Sequence, residues 1–319
     1  MTVHTPERPL HLRASGSSAS LRALLDGLVD YAGLFPPASL AMAEAVRRYA
    51  EYRAGPHGWV LGRFVVPVAR LGEFEAHAEP HFDSARDPWR LSVLANAADR
   101  AILDAFNARY AGRAMIDTVE TRAAARDQIA DAALLTSIGG SGPGSGLRAP
   151  GFTVYVELPL DPDPVELVAE VARRGLRAKV RTGGVTRDAV PGPHALARFL
   201  AACTSARVPF KATAGLHHAW RGEYALTYDT ESPSATMFGF LNVAVAAVFA
   251  GGGMPEASLI ALLEERRGRS VTFDDAGIVW RGLRVATRDV AESRTGLVVG
   301  IGSCSFDEAV RELAALGLL

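Results

Sequence analysis

Along this chain, short apolar or β-branched runs alternate with longer stretches whose apolar residues recur at helical spacing. The first kind reads as strands and the second as amphipathic helices. Eight strands are predicted, at 29–35, 63–68, 90–94, 114–119, 152–158, 177–181, 209–214 and 296–301. Helical patterns at 40–53, 71–78, 98–110, 122–134, 164–174 and 193–204 separate most of them, and one at 306–316 closes the chain. Strands alternating with helices point to a parallel sheet, and eight such units to an α/β fold, a closed (β/α)8 or TIM barrel. Residues 1–17, rich in Ser, His and Pro, are expected to be a flexible N-terminal tail, leaving 18–319 for the barrel.

Two stretches break the alternation. Residues 139–150 (GGSGPGSGLRAP) read as a flexible loop before the fifth strand. They lack the Lys-Ser/Thr ending of a phosphate-binding P-loop. Residues 220–293 are far too long for a strand-to-helix connection. They hold helical patterns around 238–250 and 255–267 and strand-like runs at 270–273 and 278–285. The expectation is a subdomain inserted after strand seven, on the active-site face of the barrel.

Composition narrows the function classes. A formal net charge of −1 argues against a nucleic-acid partner, and 49% hydrophobic residues argue against disorder. The longest apolar stretch, 238–250, is too short to span a bilayer. The N-terminus has no apolar core of the signal-peptide kind. With only two cysteines, Cys203 and Cys304, and no CxxC, no disulfide framework is expected. These features fit a cytoplasmic protein, and they are compatible with a homo-oligomer. One imbalance is sharper. Of 34 basic residues, all but Lys179 and Lys211 are arginines.

Both lysines fall near the C-terminal ends of adjacent predicted strands, where barrels carry their reacting groups. Lys179 and Arg181 are two residues apart and share a strand face; so do Lys211 and Thr213. A lysine flanked by Ala178 and Val180, or by Phe210 and Ala212, is expected to be buried, and a buried ammonium must be paired or give up its proton. A free amine can attack a carbonyl to form a Schiff base, which an arginine cannot do. A buried ion pair, or binding of an anionic substrate, would explain each lysine equally well. Asp117 and Glu157, on strands four and five, can pair with the lysines and relay protons. Glu120 is expected at the solvent edge. Of His217 and His218, one can serve as general base or anion-binding group. Adjacent histidines chelate one metal poorly, and no HxH or HExxH occurs, so no metal is expected. Asn242 can face a ligand or cap a helix, and Cys304 reads as a packing residue.

Several of these strings resemble the deoxyribose-phosphate aldolases and their class I aldolase relatives. The stretch DYAGLFPPASLAMAEAVRRYA, from Asp30, is similar to the family's opening strand and helix, and FVVPV, from Phe64, to its second strand. MIDTV, with Asp117, resembles the segment carrying the family's proton-relay aspartate, and YVELP, with Glu157, its fifth strand. RGLRAKVRTGG resembles the Schiff-base lysine strand, which maps onto Lys179. PFKATAGLHH resembles the strand of the second, tuning lysine, which maps onto Lys211. VVGIGSCSF is similar to the closing phosphate-binding turn, which maps onto Gly302, Ser303 and Ser305. The correspondence runs in order through nearly the whole chain. It implies a (β/α)8 barrel, no metal or other cofactor, and reversible carbon–carbon bond chemistry through an imine on a small carbonyl substrate. Lys179 would be the nucleophile, tuned by Lys211 and Arg181, with Asp117 and Glu157 moving protons. Thr213, Gly215, His217, His218, Gly302, Ser303 and Ser305 would line the substrate site. The chain departs from the family at Val180-Arg181, at Ala214-Gly215 and in the long insertion. Other readings are an isomerase, dehydratase or cyclase with lysine and histidine as proton shuttles, and a non-catalytic binding barrel.

Overall fold

The computed structural model describes residues 17–82, 88–136 and 151–319. The predicted glycine-rich loop and nearly all of the predicted tail lie outside them. In chain order the strands are β1 (Val29–Tyr31), β2 (Leu61–Pro67), β3 (Trp89–Leu94), β4 (Ala114–Arg122), β5 (Thr153–Glu157), β6 (Arg177–Arg181) and β7 (Phe210–Thr213). Then come β8 (Gly222–Ala225), β9 (Ser234–Met237), β10 (Val271–Phe273), β11 (Gly277–Trp280), β12 (Leu283–Ala286) and β13 (Val298–Ser303). The helices are α1 (Ala19–Leu25), α2 (Met42–Ala54), α3 (Leu71–Ala78), α4 (Arg100–Arg109), α5 (Arg126–Ala133) and α6 (Val165–Arg173). They continue with α7 (Pro193–Ala206), α8 (Phe240–Gly251), α9 (Glu256–Leu263), α10 (Thr287–Gly296) and α11 (Phe306–Ala315).

Eight of the strands pair in the order β1-β13-β7-β6-β5-β4-β3-β2 and close, every barrel pairing being parallel. This is the (β/α)8 barrel that the alternation predicts. The helices bury their apolar stripes against the outside of the barrel. Tyr31, Tyr49, Phe64, Phe74 and Trp89 form one ring cluster there, with successive centroids 4.9–6.2 Å apart. The barrel interior is different. Such interiors are ordinarily filled by branched apolar side chains; here Asp30, Ser92, Glu120, Glu157, Lys179 and Lys211 are all buried.

Strand β4 departs most from its prediction. It runs on to Arg122, three residues past the predicted end, and α5 starts only at Arg126. Its pairing with β3 steps from Leu91↔Ile116 to Ser92↔Thr118, which leaves Asp117 as an extra, bulged residue. Beyond the bulge, Thr118, Glu120 and Arg122 share one face by the two-residue period.

Residues 220–293 are divided between the two ends of the barrel. Helix α8 packs against α7, α9, α10 and β13 and takes the place of the barrel helix between β7 and β13. It is apolar all round, and Phe240 to Ala250 are buried throughout. The β8–β9 hairpin stays at the C-terminal end, where the Met237 methyl would lie 3.2 Å from a Cβ at Gly215. The β10–β12 sheet lies at the opposite end: β10 and β11 contact α1, which leads into β1, while β11 and β12 contact α10, which leads into β13. The stretch expected as one insertion is thus spread over both ends of the barrel, with the hairpin at the C-terminal end and the three-stranded sheet at the other. Asn242 accepts from the Arg221 and Gly239 amides at 2.7 and 3.2 Å and donates to two carbonyls, tying the start of α8 to the end of α9. Among the described residues, no helix is long and apolar enough to cross a membrane.

Candidate active site

Adjacent strands in register bring the two lysines side by side. Lys179 and Lys211 are Cα partners across β6 and β7, and Glu157 is the partner of Lys179 across β5 and β6. Both amines reach toward β4, where Glu120 receives them. Lys179 Nζ lies 2.8 Å from Glu120 Oε2, and Lys211 Nζ donates to Glu120 Oε1. The Ser92 hydroxyl donates to the same Oε1 at 2.7 Å. Lys211 also pairs with Asp30 Oδ2 at 2.6 Å, and Asp30 Oδ1 accepts the Arg63 backbone N–H at 2.6 Å. Lys179 also faces Glu157 Oε2 at 2.9 Å, an oxygen on which no described donor is aligned. Arg122 Nε lies 2.9 Å from the other Glu157 oxygen. Three carboxylates therefore alternate with three cations in one chain of contacts from Asp30 to Arg122.

Burial sets the energetic stakes. Glu120 is 3% exposed and Lys211 1%. Burial alone would raise the Glu120 pKa, but Lys179 and Lys211 outweigh it and hold this carboxyl far below the ordinary range. Burial alone would lower the Lys211 pKa, but Asp30 and Glu120 hold it well above the ordinary lysine value. Lys211 is a fixed ammonium. Two glycines make room for the network. A Cβ at Gly62 would come within 2.2 Å of Asp30 Oδ1, and one at Gly302 would meet Thr213 Cγ2 at 3.0 Å and Lys211 Cε at 3.8 Å.

Above the network a cavity of about 220 Å³ opens at the C-terminal ends of the strands. Lys179, Lys211, Glu120, Arg122 and Arg181 line it, with Thr213, Gly215, His217, Gly302 and Cys304. Ala214 and Gly215, at the turn after β7, have φ of 67° and 75°; for Ala214 this left-handed backbone carries strain at the cavity wall. His217 is buried, with Nδ1 3.4 Å from both Ser303 Oγ and Cys304 Sγ. Burial pushes its pKa down to about 4, so its imidazole is neutral at physiological pH. Burial pushes the Cys304 thiol up to about 11, which keeps it protonated. Among the described residues no three His, Cys, Asp or Glu side chains gather as a metal site.

Four expected site residues lie elsewhere. Asp117 is turned to the N-terminal rim, where Arg63 and Arg90 hold it at 2.6 Å each. The bulge causes this, and Glu120, expected at the solvent edge, takes the place between the lysines. His218 is held outside the cavity, 2.5 Å from Glu312 Oε1 and stacked on Tyr224. The Ser303 hydroxyl donates to the Ser305 carbonyl at 3.1 Å, and the Ser305 hydroxyl caps α11 by accepting the Glu308 N–H at 3.3 Å. Neither hydroxyl lines the cavity. Sequence reasoning passed over Asp30, Ser92, Glu120 and Arg122. The one available signal was the alternation Thr118, Glu120, Arg122, which continues strand periodicity past the predicted end of β4.

No protein-family model matches this chain, and no curated protein matches it.

Proposed function

We propose that this barrel, a scaffold commonly used by enzymes, is a lyase that makes or breaks a carbon–carbon bond through an imine on Lys179. The observation that carries the reading is the convergence of both amines on the two oxygens of one buried carboxylate beneath the cavity. The two lysines have different parts. Lys211 is clamped between Asp30 and Glu120 as a permanent cation. Lys179 lines the cavity and can pass a proton to Glu157 Oε2, 2.9 Å away.

The steps balance. Lys179 yields a proton to Glu157, and the free amine adds to the substrate carbonyl carbon to form a carbinolamine. Glu157 returns the proton to the carbinolamine oxygen, water leaves, and a protonated imine remains. A carboxylate takes the proton of the hydroxyl β to the iminium carbon. The electron pair of the carbon–carbon bond flows into the iminium, releasing an aldehyde and leaving an enamine. Protonation of the enamine and hydrolysis release the second product and restore the amine.

The variant Lys179→Arg tests the reading, because it keeps a positive charge but cannot form an imine. With a panel of short aldehydes and ketones, Lys179→Arg abolishes both cleavage and condensation, while a bound competitive carbonyl still protects the fold against heat. Full activity in Lys179→Arg would overturn the proposal. The neutral His217 at the cavity wall favours one second reading, an isomerase or dehydratase in which imidazole and lysine shuttle protons. That reading predicts that activity survives borohydride in the presence of substrate.

A further inference from the structure

The lysine cavity has a neighbour. An outer cleft of about 510 Å³ lies beside it on the same face of the barrel, and the two share Arg122 and Arg181. Arg181 follows Lys179 by two residues on β6, so it shares that strand face at a level nearer the mouth. Its side chain makes no hydrogen bond or ion pair with any described residue. Arg122 is already engaged with Glu157. The closing glycine-serine turn, the expected anion holder, presents no hydroxyl to the cavity. Beyond the two arginines the cleft wall is mostly apolar, with Leu158, Pro159, Leu160 and Pro191 beside the polar Gln128, Glu157 and Asp188.

We infer that the substrate carries a carboxylate gripped by Arg181, with Arg122 at the rim, and that its apolar chain runs from the inner cavity into the outer cleft. The inference names the substrate class and rests on the imine reading for the position of the carbonyl. An unpaired guanidinium offers a planar fork that fits a carboxylate through two parallel hydrogen bonds. The charge balance favours a monoanion. Arg181, whose guanidinium pairs with none of the described residues, stands above a network in which three carboxylates and three cations already balance, and Asp188 is the one further carboxylate that lines the outer cleft. A phosphate monoester, with a charge of about −1.5 to −2 at pH 7, would bring excess negative charge next to Glu157.

Calorimetric titration with pentanoate, methyl pentanoate and propyl phosphate tests the anion site without any carbonyl. The expected result is pentanoate binding that weakens about tenfold or more in Arg181→Ala, the loss of a charge-assisted contact, and recovers in part in Arg181→Lys. Methyl pentanoate is expected to bind the wild type and Arg181→Ala alike. Equal pentanoate affinity in wild type and Arg181→Ala would overturn the inference, as would tighter, Arg181-dependent binding of propyl phosphate. The Arg181 side chain is exposed and pairs with none of the described residues, while its place in the ladder opposite Thr213 is made by the backbone, so its variants are expected to fold normally. A second arm compares borohydride trapping of 4-oxopentanoate and its methyl ester on the wild type, with the acid expected to react faster. If neither is trapped while pentanoate binding still depends on Arg181, the imine reading fails and the carboxylate site stands.

Discussion

Removing the charge of Glu120 leaves two buried ammonium groups without their shared partner. Breaking one member out of a buried ion network costs about 3–5 kcal/mol, so Glu120→Gln is expected to lower stability by that order and to abolish activity. The pH dependence follows from the two shifted groups. Glu120 has a folded pKa below its ordinary 4.5, so its contribution is present above that pH and is lost as the pH falls below it. Lys211 has a folded pKa above its ordinary 10.5, so its contribution is present below that pH and is lost above it. Urea midpoints are therefore expected to vary little between 4.5 and 10.5 on account of this pair and to fall on either side. The acid-side fall should be smaller in Glu120→Gln than in wild type; equal slopes would show that Glu120 does not carry the effect. Composition alone led to both lysines, because burial of a residue the chain otherwise avoids is chemically costly. It could not lead to Glu120, one of many carboxylates, whose part depends on a bulge that no residue of β4 announces.

At the scale of elements, the period-two and helical patterns located all eight barrel strands. The fit is closest where turn residues bound the strand, as in β6. It failed where neighbouring elements compete for the same residues. The sequence pattern places Gly296 in the last strand, whereas it ends α10 and β13 begins at Val298. The helical pattern takes in Arg122, which instead ends β4. The bulge at Asp117 then exchanges the roles of two carboxylates three residues apart. Strand β2 contributes through what it lacks. With a Cβ at residue 62 directed at Asp30 Oδ1, Gly62→Ala is expected to push Asp30 off Lys211 and cost about 1–3 kcal/mol, the range for overpacking. Activity should fall with it. A Gly62→Ala protein with wild-type thermal midpoint and turnover would show that Asp30 is dispensable to the network.

For the whole molecule, one apolar core joins the barrel helices to α8, α9 and the β10–β12 sheet, with Phe249 and Trp280 packed across it. The long stretch after β7 read in sequence as a separate subdomain because its length exceeds any ordinary connection. In three dimensions most of it supplies a barrel helix and a cover between α1 and α10. Scanning calorimetry is expected to show a single cooperative transition. An independent transition that persists after proteolytic removal of the barrel would instead mean that the stretch folds alone. The interior of the barrel carries a charge network where others carry apolar layers, and this is a stability cost that chemistry at the mouth would explain. The most direct test of that chemistry is to reduce the protein with borohydride in the presence of 4-oxopentanoate and map the adduct by peptide mass spectrometry. The account predicts a reduced adduct on Lys179 that is absent from Lys179→Arg. No adduct, or one confined to Lys211 or to the chain's amino terminus, would contradict it.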